Sequence, residues 1–117
     1  MIIDQELTAA FNAKPKVDIN KIRTMSAAQL DQVKSYGSAA ENLLKNKDFA
    51  LFVHHFKFEL ADEISSIKQY SNEDDSKRIA LCQHLVGIDK FVGSLQQAVY
   101  YKNRAVSQQT QNEYKEE

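Results

Sequence analysis

Between residues 48 and 67 the chain reads DFALFVHHFKFELADEISSI, and seven apolar residues in it recur at spacings of three, four and seven. Phe49, Phe52, Val53, Phe56, Leu60, Ile64 and Ile67 therefore fall on one face of an α-helix. Three of them are phenylalanines, whose rings each withdraw more surface from water than an aliphatic side chain does. Lys57, Glu59, Asp62 and Glu63 stand opposite. A helix with so apolar a face must be covered, and the rest of the chain is expected to cover it from both sides.

What surrounds this stretch is helical as well. The chain has one proline and three glycines, no alternating β-branched runs, and no Asn-Gly or Asp-Gly hairpin signal. At 117 residues it reads as one domain with a modest core. The expected fold is all-α: an antiparallel helical hairpin or three-helix bundle over residues 26–107. An extended or short-helical N-terminal arm occupies 1–25, and a polar, frayed tail 108–117.

Within the arm, residues 2–13 suit a short helix with Asp4 as N-cap and Leu7, Ala10 and Phe11 on one face; Pro15 stops it. Val17, Ile19, Ile22 and Met25 make the connector apolar, so it should lie over the chain's own core or a neighbour's. Ser26 and Gln29 form a capping box. The helix after it, about 27–46, carries Leu30, Val33, Gly37, Ala40 and Leu44 on a stripe of mostly small residues that suits close packing against the phenylalanine-rich helix. Gly37 implies either a partner backbone close by or a break in the helix. Asn46 and Lys47 make the turn, and Asp48 caps the next helix.

After the break at 71–76, whose acids suit the positive end of a helix dipole, Leu81, Leu85, Ile88, Val92, Leu95 and Val99 recur at alternating steps of four and three, a heptad-like seam. A helix from about 75 to 107 spans roughly 50 Å, against some 33 Å for its antiparallel neighbour. The excess, with Val99, Tyr100 and Tyr101, needs cover from another subunit or from the arm. The expected core is thus Phe49, Phe52, Val53, Phe56, Leu60, Ile64, Leu81, Leu85, Ile88, Val92 and Leu95. The expected interaction surface is Val99, Tyr100, Tyr101, Val17, Ile19 and Ile22. Gly87 and Gly93 are expected at a close helix contact or a kink.

Chemistry is sparse. A net charge of −1 gives no general attraction to nucleic-acid phosphates. The split is mild: residues 1–47 hold seven Lys/Arg against five Asp/Glu, and residues 48–117 eight against eleven. Cys82, the one cysteine, reads as a buried structural thiol in a reducing compartment. Neither a membrane span nor a signal peptide is indicated. His54 and His55 diverge around a helix, and a His55/Glu59 pair lacks further ligands. No phosphate loop, nucleophile elbow, HExxH or Glu-x-x-His occurs. No catalytic residue, metal or cofactor is expected, and the chain is read as a non-enzyme.

LLKNKDFALFVHHFKFELA (43–61) and HLVGIDKFVGSLQQAVYYKNRA (84–105) resemble small all-helical proteins of tailed bacteriophages. There a Leu-Leu-x-Asn-x-Asp-Phe turn opens a Phe- and Glu-bearing helix, and a Gly-Ile-x-x-Phe/Leu element follows in the next. Leu43, Leu44, Asn46, Asp48, Phe49, Phe56 and Glu59 match the first part; Gly87, Ile88 and Phe91 match the second. The resemblance covers residues 40–105 and its motifs are structural. It implies a virion structural or assembly protein, in the virion or host cytoplasm, docking on protein partners and forming a homo-oligomer. The alternative expectation is a soluble inhibitor of a host enzyme or defence complex, acting through Glu59, Asp62, Glu63, Glu73, Asp74 and Asp75. A nucleic-acid role for Lys14, Lys16, Lys21 and Arg23 is the weakest of the three.

Overall fold

The computed structural model describes residues 5–12 and 17–116, and the side chains of these except 11, 12, 19 and 116. Its elements are α1 (Gln5–Asn12), a 3-10 helix (Ile19–Thr24), α2 (Ala27–Lys45), α3 (Lys47–Ser66) and α4 (Asn72–Glu116). No strand occurs among the described residues, so the fold is all-α with an overlong C-terminal helix, as expected. The proposed N-cap Asp4 and the side chain of Phe11 lie outside the described residues.

Helix starts follow the local chemistry. Ser26 and Gln29 cap α2 reciprocally: the Gln29 amide donates to Ser26 Oγ (3.2 Å) and the Ser26 amide to Gln29 Oε1 (2.9 Å). Asn46, not Asp48, caps α3, accepting from the Phe49 amide at 2.9 Å. One residue thus serves as both turn and cap. At α4 the Asp74 amide donates to Ser71 Oγ (3.1 Å), and Glu73, Asp74 and Asp75 fill the first turn. Arg78 ties down the α3–α4 connection. Its guanidinium donates to the Ile67 and Gln69 carbonyls, pairs with Asp75, and lies 4.8 Å from the Tyr70 ring centre.

The chain divides into two compact units. The first joins residues 1–40 to 97–117. Its core is Ile22, Leu30, Val33 and Ala105, with Val17, Met25 and Tyr101 packed against it. Residues 17–25 of the arm therefore pack on the chain's own α4 through Val17, Ile22 and Met25. Val17, Ile22 and Tyr101, expected on an interaction surface, belong to this core because the extra length of α4 lies under the connector. The tail does not fray at 108. α4 continues to Glu116, and Gln108, only 6% exposed, donates to Asn112 Oδ1 at 2.9 Å. Gln109 bridges to α2, accepting from Lys34 Nζ (2.8 Å) and donating to Asp31 Oδ1 (2.9 Å).

Gly37 sits in the same unit. A β-carbon added there would meet the Ala98 carbonyl oxygen at 2.7 Å and the Lys102 side chain closer still. The close backbone partner of α2 is thus α4. Gly87 and Gly93 face nothing within 4 Å of where a β-carbon would be, so neither marks a close contact.

The second unit, residues 41–96, packs α3 on the first half of α4. Leu60 is its buried residue. Phe49, Val53, Ile64, Leu81, Leu85, Ile88, Val92 and Leu95 are half-buried along the seam. The seam on α4 then changes step. Positions 92, 95, 98 and 101 follow in threes before fours return at 105 and 112, which carries the packed stripe around the helix.

Gly37→Ala should lower stability by about 1–3 kcal/mol through overpacking, although alanine gains up to ~1 kcal/mol of helix propensity. Gly87→Ala should raise stability by about 0.5–1 kcal/mol. Urea denaturation checks both, and a more stable Gly37→Ala protein would contradict the close approach.

Candidate docking surface

Helix α3 has more apolar surface than α4 covers. At roughly 100° per residue its apolar stripe is wide. Val53, Leu60 and Ile64 turn toward α4, while Phe52 and Phe56 lie at the stripe's far edge. The buried residues of α2, namely Leu30, Val33, Gly37 and Ala40, belong to the first unit. Phe52 is 72% exposed and Phe56 is exposed too, so these two expected core residues are surface residues. Phe58, 67% exposed, and Leu51 extend the apolar surface on the outer side of α3.

On α4 the exposed Phe91 meets Phe49 edge-on, ring centres 6.2 Å apart and planes at 65°. Phe91 shares its stripe of α4 with Ala80, His84 and Gly87, and Phe52 shares its stripe of α3 with Phe56, Glu59 and Glu63. Both stripes step at four, three and four, so each occupies a single helix flank. Phe52, Phe56 and Phe91 are exposed, and so are Glu59, Glu63, Lys77 and His84.

A half-open cleft of about 370 Å³ opens between the two helices. Phe49, Val53 and Val92 line its apolar part, with His54 at its edge and a Lys57–Asp89 ion pair of 2.7 Å across it. Lys57, expected on the solvated face, is therefore engaged with α4. In the first unit a polar trough of about 620 Å³ runs over Asp31, Gln109, Asn112 and Glu113.

Of the expected interaction surface, Tyr100 is 53% exposed, Val99 is half-buried, and the side chain of Ile19 lies outside the described residues. Tyr114 and Val106 are exposed with Tyr100 on the C-terminal part of α4. Cys82 is exposed, not buried, because it faces away from the seam of Leu81 and Leu85. His55 and His84 are exposed, and no group of three or more His, Cys, Asp or Glu among the described residues is placed to hold a metal. No helix among the described residues is long and apolar enough to cross a membrane.

Sequence reasoning missed Leu51 and Phe58, which lie seven apart on the side assigned to polar residues. The spacing was a signal, but the stronger stripe beside it masked them. Phe52→Ser and Phe58→Ser should each change stability by under about 0.5 kcal/mol, whereas Leu60→Ala should cost about 2–5 kcal/mol. Chemical denaturation distinguishes the two classes, and a loss at Phe52 as large as at Leu60 would contradict the assignment.

The chain matches no protein-family model, and comparison with curated proteins and with solved structures gives no match.

Proposed function

We propose that this chain is a non-enzymatic docking protein that acts in several copies on a larger protein assembly. The observation that carries the reading is the exposed phenylalanine surface of the second unit: Phe52, Phe56, Phe58 and Phe91, with Leu51. Single exposed apolar residues are ordinary, but a cluster of large ones on adjoining helix faces is characteristic of a surface that another molecule covers. Tyr100, Val106 and Tyr114 on α4 offer a second exposed surface, suited to contact between copies. The resemblance over residues 40–105 supplies the setting of the proposal: a bacteriophage virion or its assembly in the host cytoplasm.

A second reading is favoured by the acids next to the phenylalanines. Glu59, Asp62 and Glu63 enter no ion pair among the described residues. A small inhibitor could use such a face to occupy a site built for an anionic ligand on a host protein.

Light scattering on the purified chain, together with mass spectrometry of purified virions, tests the first reading. It expects a mass that is a multiple of 13.4 kDa and the protein's presence in the particles. A strict monomer at high concentration, absent from virions, would overturn it. Salt-sensitive capture of one host protein in its place would support the inhibitor.

A further inference from the structure

We infer that the cleft between α3 and the first half of α4 is a binding site for a zwitterionic α-amino acid with a large apolar side chain. The cleft lies wholly within the second unit. Such a site goes beyond the docking reading and does not depend on it.

The cleft has the make-up of a small-molecule site. Its volume of about 370 Å³ stands at the lower end of the range such sites occupy, roughly 300–1,000 Å³. Leu44, Phe49, Val53 and Val92, all half-buried, give it an apolar floor. The polar lining is Lys57, half-buried, with the exposed His54, Asp89 and Gln96. An apolar floor under a few polar groups at the rim suits a ligand with one greasy end and one polar end.

The charges at the rim choose the polar end. Lys57 Nζ and Asp89 Oδ1 stand 2.7 Å apart across the cleft, one positive and one negative. A simple anion pairing with Lys57 meets the Asp89 carboxylate beside it, and a simple cation pairing with Asp89 meets the Lys57 ammonium. An α-amino acid carries both signs a few bonds apart. Its carboxylate accepts from Lys57 and its ammonium donates to Asp89, so neither protein side chain loses its counter-charge. Both partners of the ion pair are partly open to solvent, so parting them costs little. The ligand's side chain then removes the apolar floor from water. His54 and Gln96 on the same rim offer N–H donors to the ligand carboxylate.

The neighbouring charges do not change this choice. On α2, Glu41 and Lys45 near Leu44 pair with each other at 2.6 Å. Lys47, exposed one turn before Ala50 on α3, adds positive charge on the side where the carboxylate sits. His55 and Lys90 each follow a lining residue by one position and so turn about 100° from it.

The probe is L-phenylalanine, titrated into the isotope-labelled full chain and followed by its amide chemical shifts. Hydrocinnamate, which lacks the amine, and phenethylamine, which lacks the carboxylate, carry the same ring and serve as comparisons. L-phenylalanine should shift the amides of Ala50, His54, Lys57, Asp89 and Val92 saturably, with a Kd of about 1 mM or tighter. Each comparison compound should bind about fivefold more weakly or worse. Ala50→Leu, which fills the cleft, should abolish binding. Asp89→Asn should remove the preference over hydrocinnamate, and Lys57→Gln the preference over phenethylamine. The amide spectrum away from the cleft verifies that each variant is folded. Absence of saturable shifts up to about 20 mM, or a comparison compound bound as tightly as L-phenylalanine, overturns the inference. So does binding that Ala50→Leu leaves untouched, or a preference that both charge-removing variants retain.

Discussion

Helix α4 supplies a wall to both units, and it does so with two successive packing stripes. The first, Leu81 to Leu95, is aliphatic and steps in fours and threes. The second, Ala98, Tyr101, Ala105, Gln108 and Asn112, repeats the same steps after a run of threes. Each stripe can face only one set of partners. Within the second unit α3 packs on the first stripe. A pair of helices leaves half of each seam open, which is why Leu60 is buried while its neighbours along α3 are only half-covered. The exposed phenylalanines follow from this shortage of partners.

The first unit achieves a tight contact by different means. Its interface is built from small side chains, with Gly37 and Ala98 allowing α2 and α4 to approach and Ala40 continuing the stripe. Small residues bury little area each, so the connector contributes the larger side chains: Ile22, Val17 and Met25. Toward the end of α4, where apolar residues run out, amides take over. Gln109 joins Lys34 to Asp31, and Gln108 is buried with its amide donating to Asn112. Every buried side-chain N or O among the described residues has a hydrogen-bond partner, so the polar stripe is satisfied and not a defect.

The sequence made the helices, their order and most of their starts legible, because caps and hydrophobic period are local properties. Ser26/Gln29 and the heptad seam of Leu81–Leu95 are examples. Pairing was less legible. Gly37 correctly signalled a close backbone, but nothing in its neighbourhood specified α4 over α3 as the partner. The second stripe of α4 was invisible to a hydrophobic count, since Ala, Gln and Asn carry it; this is also why the helix was expected to end near 107. The candidate surface was misjudged for a related reason. A periodic stripe containing Phe52 and Phe56 predicts a face that wants cover, and it cannot say whether the cover comes from within the chain. Phe58 and Leu51 lie off the stripe and are exposed, so the packing on α4 makes no use of them.

The account depends on aromatic rings of α3 being open to solvent in the isolated chain while α4 holds the rest. Fluorine NMR of the protein labelled with fluorophenylalanine, at low concentration and with a soluble paramagnetic agent, measures this ring by ring. The Phe52 and Phe58 resonances should broaden strongly and that of Phe49 much less. Uniform protection of all three would show the rings to be packed inside the fold, and would contradict the docking surface at its base.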